Sequence, residues 1–186
     1  MVDKKITFRG RAWVLVDRRG NLIEDIDTDQ IYHNAHLHLT DISQMGQYTL
    51  GNLEGWQDFS RKAERGDFVV AGRNFGAGSS RQQAVDCFNS IGIRAIIAPS
   101  FGAIYFRNAV NSGFPVLRSS RLEEIVAEGR LVTGDELEVD LMGNKAENLS
   151  RNFSFEFEPL SSVQLDIFRA GNLFKYGKII ARRKKL

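Results

Sequence analysis

Two hydrophobic rhythms divide this chain. In the middle, short unbroken apolar runs alternate with stretches whose apolar positions recur at helical spacing. Phe68-Val69-Val70-Ala71 lies between Gly66 and Gly72, Ala95-Ile96-Ile97-Ala98 follows, and Phe114-Pro115-Val116-Leu117 comes third. Short apolar runs of this kind read as buried strands. Between them, Ala84, Val85, Cys87, Phe88 and Ile91 mark a helix over 81–91 that Gly92 stops, and 101–112 gives a second helix closed by Gly113. This strand–helix–strand–helix–strand series predicts parallel pairing with right-handed crossovers. Ligands of such sheets bind beyond the carboxyl ends of the strands.

The flanks follow another rhythm. Residues 6–16 mix apolar and basic positions as a strand, Arg18-Arg19-Gly20-Asn21 is a turn, and Leu22-Ile23 closes a hairpin. Residues 40–65 are polar and loosely helical, with Thr40 or Asp41 as N-cap and Trp56 and Phe59 as anchors. After residue 119 the pattern predicts a helix over 121–129, then alternation at Leu137–Leu141 and at Phe153, Phe155 and Phe157 around a Gly143-Asn144 turn. A helix over 161–170 capped by Gly171 comes last, followed by a tail. The class is α/β, with a largely parallel central sheet, helices and a C-terminal β-rich part. No repeat or low-complexity linker interrupts it, so residues 1–186 read as a single domain.

Composition narrows the function. With 42% hydrophobic and 26% charged residues the chain is ordinary for a globular protein, and a net charge of +2 makes no case for nucleic acid. The basic run Arg182-Arg183-Lys184-Lys185 reads as a solvated tail. No apolar segment approaches the roughly 20 residues of a membrane span, and Met1-Val2-Asp3-Lys4-Lys5 opens no signal-peptide core. The single cysteine, Cys87, suits a reducing cytoplasm and excludes an internal disulfide. It also excludes an iron–sulfur cluster held by this chain, because such clusters take several thiolates.

The densest chemistry lies between the first run and its helix: Gly72-Arg73-Asn74-Phe75-Gly76-Ala77-Gly78-Ser79-Ser80-Arg81-Gln82-Gln83-Ala84. On spacing alone two readings stand. Ser79 or Ser80 caps the helix and Arg81 lies on the surface; or backbone N–H groups, two hydroxyls and a guanidinium bind a carboxylate or phosphate. The P-loop, the dinucleotide fingerprint and the nucleophile elbow all fail here, for want of a lysine, a third glycine and a Gly-x-Ser-x-Gly. A second cluster, His33, His36 and His38 with Asp27 and Asp29 nearby, has a metal-site reading and a plain polar-loop reading.

Asn74-Phe75-Gly76-x-Gly78-Ser79-Ser80-Arg81 is followed by Ser100-Phe101-x-x-Ile104-x-x-Arg107-Asn108-x-x-Asn111-x-Gly113-x-Pro115. Together with Asp27-Thr28-Asp29, Gly134-Asp135-Glu136-Leu137 and Phe157-Glu158-Pro159-Leu160, this resembles the swivelling domain of the aconitase superfamily. As a separate chain it resembles the small subunits of 3-isopropylmalate dehydratase and its relatives. That resemblance implies a swivelling β/β/α domain and a hydro-lyase half-site. It implies Ser79 as catalytic base, Gly78, Ser80 and Arg81 as binders of a small dicarboxylate, and a [4Fe-4S] cluster on a partner large subunit, with no metal in this chain. The implied setting is leucine biosynthesis. Homoaconitate hydratase, a methylated-malate dehydratase and a non-catalytic anion-binding module are the alternatives. Two departures stand out: Gln82-Gln83 where the family has Glu-His, and His36-Leu37-His38 at the substrate-specificity loop, where relatives carry Tyr-Leu-Arg. No arginine occurs between Arg19 and Arg61, which favours an uncharged substrate arm over a third carboxylate.

Overall fold

A computed structural model describes residues 6–183. In chain order the elements are β1 (Thr7–Val14), α1 (Thr28–Ile31), α2 (Ile42–Met45), α3 (Phe59–Lys62), β2 (Phe68–Val70), α4 (Gln83–Ile91), β3 (Ala95–Ala98), α5 (Ala103–Asn111), β4 (Val116–Arg118), α6 (Leu122–Ala127), β5 (Glu136–Asp140), β6 (Lys145–Asn148), β7 (Phe153–Glu156), α7 (Ser162–Ala170) and α8 (Leu173–Arg183). Short 3-10 turns at Asn34–His36 and Gly46–Tyr48 interrupt the long polar stretch.

All seven strands form one sheet in the order β4-β3-β2-β1-β5-β6-β7. The four on the β4 side are parallel, as the apolar runs predict, and the three on the other side are antiparallel. Strand β1 joins the two halves. Its residues Ala12–Val14 pair in parallel with β2, while Thr7–Arg11 pair antiparallel with β5. Asp67 stands at this junction, almost fully buried, and accepts hydrogen bonds from the Arg11 and Glu64 amides, the Trp13 indole and the Arg11 guanidinium. Burial pushes its carboxyl up, but those donors together hold it below its usual range.

Alternation along the central strands feeds two cores. Leu15, Val69 and Ile96 face α4, α5 and the long polar stretch, where Phe59, Phe75, Phe88 and Tyr105 interlock. Val14, Val70, Ile97 and Leu117 face the other way, onto α6 and the inner residues Leu137, Val139, Ala146 and Phe155. Both faces of β2 and β3 are covered, which is why their runs carry no polar residue.

Three expectations need correction. The segment after Gly171 is not a tail but α8, which packs on α7; Lys184 and Lys185 lie outside the described residues, as does the opening Met1–Lys5. Helix α4 starts at Gln83 rather than Arg81. Residues 145–148, polar in sequence, form the strand β6. Asp41 is the N-cap of α2, and Trp56 and Phe59 both pack into the core as anchors.

Candidate active site

The glycine loop is built as a short extended rung between two other segments. Phe75 donates to Ser100 O at 3.1 Å and accepts from Gly102 N at 2.9 Å; Gly76 donates to Ile26 O at 2.7 Å, and Ala77 O accepts from Thr28 N at 2.9 Å. The Asp-Thr-Asp segment and the Ser100-Phe101 turn therefore hold the loop from both sides. Gly76 is at φ 77°, and a Cβ there would lie 2.2 Å from the Tyr105 ring. Gly78 is at φ 87°, and a Cβ there would make only ordinary contacts with Thr28 and Asp27, so its backbone conformation, not crowding, calls for glycine.

Beyond Gly78 the chain turns outward. Ser79 and Ser80 are exposed, and among the described residues neither hydroxyl has a hydrogen-bond partner. The amides of Gly78, Ser79 and Ser80 likewise donate to nothing within the described residues. The capping reading fails. Gln82 occupies the N-cap of α4 without a capping hydrogen bond, and its side-chain amide instead donates to Asp86 at 3.0 Å and to Ser112 at 2.8 Å.

Arg81 is not a surface residue. Its side chain is 16% exposed, and Nη1 donates to Asp29 Oδ1 at 2.5 Å and to the Tyr32 carbonyl at 3.2 Å. The guanidinium hydrogen bond holds the Asp29 carboxyl below its ordinary range against the opposing effect of burial. Asp29 comes from α1, which Asp27 caps: the Asp27 carboxylate accepts from the Asp29 and Gln30 amides, and the Gln30 Oε1 accepts in turn from the Asp27 amide. The Asp-Thr-Asp element thus has two separable tasks. One aspartate shapes the helix and the other fixes the arginine. Sequence reasoning did not foresee Asp29 as the partner of Arg81, because the two lie 52 positions apart.

The histidines do not converge. His33 Nδ1 accepts from Ala35 N, His38 Nδ1 bonds Ala35 O, and His36 stacks on Tyr48 at 3.7 Å. Among the described residues no three His, Cys, Asp or Glu side chains are arranged to hold a metal ion. Burial, then the neighbouring His33 and His38, push the His36 imidazole below its usual pKa, so it is neutral at pH 7. Leu37 is exposed at the tip of the turn. The loop is joined to Arg81 through Tyr32, whose hydroxyl donates to His36 O at 3.1 Å.

Cys87 is fully buried in α4, and burial pushes its thiol up to about 12. One inert thiol does not fit the ligand set of a [4Fe-4S] cluster. A cleft of about 550 Å³ lined by Val16, Arg18, Arg19, Leu53, Glu54 and Trp56 shares no residue with the glycine loop. Gly78, Ser79 and Ser80 form the exposed part of the loop. No helix among the described residues is long and apolar enough to cross a membrane.

Comparison with known proteins agrees with this geometry. Residues 22–121 match the aconitase C-terminal domain. The 3-isopropylmalate dehydratase small subunit of Pyrobaculum calidifontis is 40% identical over 91% of this chain and 96% of its own length. Small subunit 1 of the same enzyme from Thermotoga maritima is 34% identical over 91% of this chain and 94% of its own. The crystal structure of 3-isopropylmalate dehydratase from Methanocaldococcus jannaschii superposes with a TM-score of 0.82 at 30% identity, covering 97% of this chain and 100% of that one. With more than half of its residues matched by that family and nearly its whole length shared with these relatives, the chain belongs to the aconitase C-terminal domain family, among the small subunits of 3-isopropylmalate dehydratase.

Proposed function

We propose that this chain is the small subunit of a hydro-lyase that interconverts 2-isopropylmalate and 3-isopropylmalate by dehydration and rehydration, in leucine biosynthesis. The observation that carries this reading is the pair of unpartnered hydroxyls, Ser79 and Ser80, beside a guanidinium already fixed by Asp29. Arg81, Ser80 and the Gly78–Ser80 amides bind a substrate carboxylate. The Arg81 donors other than Nη1 make no bond within the described residues and are available for it. Ser79, as its alkoxide, removes the proton on the carbon next to that carboxylate. The charge that develops there spreads into the carboxylate, where Arg81 and the amides stabilise it. The proton stays on Ser79 Oγ while the hydroxyl leaves the adjacent carbon. Return of that proton to the carbon that lost the hydroxyl, and of the hydroxyl to the carbon that lost the proton, gives the isomer.

The departing hydroxyl needs a Lewis acid that this chain does not hold, and we assign it to a [4Fe-4S] cluster on a large subunit. The substrate's other arm meets the His36-Leu37-His38 turn. A neutral His36 stacked on Tyr48 and an exposed Leu37 favour an isopropyl group over the third carboxylate of a homoaconitate-type substrate. The test is reconstitution with the large subunit and a panel of malates, followed by alkene absorbance. Ser79→Ala is expected to abolish turnover while assembling normally. Turnover at the unaltered rate in that variant rejects the base, and a preference for a tricarboxylate rejects the assigned substrate.

A further inference from the structure

The substrate-selecting turn has little core of its own. Asn34, Ala35, Leu37 and His38 are exposed, and His33 and His36 are only half-buried. Its placement comes from a few contacts, and these converge on two tyrosines and one aspartate. Tyr32 is fully buried at the end of α1. Its carbonyl accepts from Arg81 Nη1 at 3.2 Å, and its hydroxyl donates to His36 O at 3.1 Å. The Tyr32 ring stands edge-on to both His36 and Tyr48, with centroids 6.1 and 6.3 Å away. Tyr48 lies nearly parallel to the His36 ring, 3.7 Å away and tilted by 17°. Tyr48 is itself anchored, since its turn is closed by Thr49 Oγ1 on Gly46 O and joined to α1 by Leu50 N on Ile31 O at 2.9 Å. Asp29 Oδ1, the acceptor for Arg81, also accepts from Asn34 N at 3.0 Å.

We infer that Tyr32 and Tyr48 are positioning residues that hold the His36–His38 turn in register with Arg81, so that the carboxylate anchor and the surface selecting the substrate's other arm form one unit. Neither tyrosine touches the reacting atoms. Each acts through His36. Buried Tyr32 could pack equally well as phenylalanine, so its hydroxyl has one task on this surface, the bond to the His36 carbonyl. The stack on Tyr48 fixes the plane of the imidazole. The inference rests on the proposed hydro-lyase function only for the identity of the ligand.

Three variants test it. Tyr32→Phe removes only the hydroxyl, Tyr48→Leu removes the stack while keeping an apolar side chain, and Tyr48→Phe restores the ring. Hydrogen exchange on the chain alone reads the turn through the amides of His36, Leu37 and Leu39, which donate to His33, Asn34 and His36. Exchange there is expected to quicken roughly 2- to 10-fold in Tyr32→Phe and Tyr48→Leu, the opening expected from losing one hydrogen bond or ring contact, and to remain unchanged in Tyr48→Phe. In the reconstituted complex the same two variants are expected to shift the ratio of kcat/KM between isopropyl- and methyl-substituted malates by a similar factor, through KM, with kcat retained. Unchanged exchange overturns the tie. Quickened exchange with an unchanged substrate ratio overturns the coupling. An unaltered complex that dehydrates no malate is instead a failure of the proposed function, and the exchange measurement then still decides the tie.

Discussion

Replacing Asp29 by asparagine isolates what the carboxylate does for Arg81. The amide keeps the shape of the side chain and an oxygen that accepts from Asn34 N and Arg81, but it loses the charge. Hydrogen bonds between charged groups contribute about 1.5–3 kcal/mol against about 1 for neutral ones. The pair is 16% and 33% exposed, so solvent screening reduces that difference. The expected loss is about 1 kcal/mol, close to 5-fold in an equilibrium constant. Because Arg81 binds the ground-state carboxylate in the proposed mechanism, the loss falls on KM, with kcat reduced less. Steady-state kinetics of the reconstituted complex read this directly. A fall in KM refutes the reasoning, because it would mean that Asp29 competes with substrate for the guanidinium. The pH dependence has a definite sign. Asp29 has a depressed folded pKa, so its contribution to stability is complete above the unfolded value near 3.9 and is lost as pH falls through the lower folded value. The asparagine variant lacks this acid-side loss.

Gly76→Ala places a Cβ at positive φ against the Tyr105 ring and is expected to cost about 2–4 kcal/mol, seen as a lowered Tm; an unchanged Tm contradicts the loop geometry. Asp67→Asn removes a buried carboxylate that holds four donor groups, and is expected to cost about 2–3 kcal/mol at pH 7, the half-exposed Arg11 partner lowering the full value for a broken buried pair. Because Asp67 is also depressed in the folded state, the wild type loses this stability as pH falls through that lowered value, whereas the variant shows a flatter acid limb in thermal melts. The Cys87 thiol, raised to about 12 and buried, is expected to react with a disulfide reagent at pH 8 only at the rate of unfolding; immediate stoichiometric labelling rejects its placement.

The parallel half of the fold is legible in sequence because β2 and β3 are covered on both faces and their helices show a strong apolar stripe. Elements without a buried apolar face escape. Helix α8 turns only Tyr176 and Ile180 partly inward, leaves Leu173, Phe174 and Ile179 exposed, and carries enough lysine and arginine to read as a polar tail. Strand β6 hides because one inward position is Asn148, fully buried on the Asp135 carboxylate and the Arg130 carbonyl, where a pattern of apolar residues has no signal. In the site, the order of glycines, serines and arginine suffices to find an anion-binding surface. It does not distinguish capping serines from free ones, since that depends on where α4 begins. Nor does local sequence reveal the bonds from Arg81 to Asp29 and Tyr32, which form only when the chain returns from a distance.

Strand β1 carries its own consequence. Since its two ends belong to opposite ladders, neither half of the sheet has a complete set of backbone partners without the other. A force applied to the antiparallel flank crosses the ladder to β1, runs along the continuous β1 backbone, and crosses the parallel ladder to β2, which leads directly into the glycine loop. Any movement of the β5–β7 flank would therefore carry Ser79 and Arg81 with it as part of a single lever, without a joint between handle and working end.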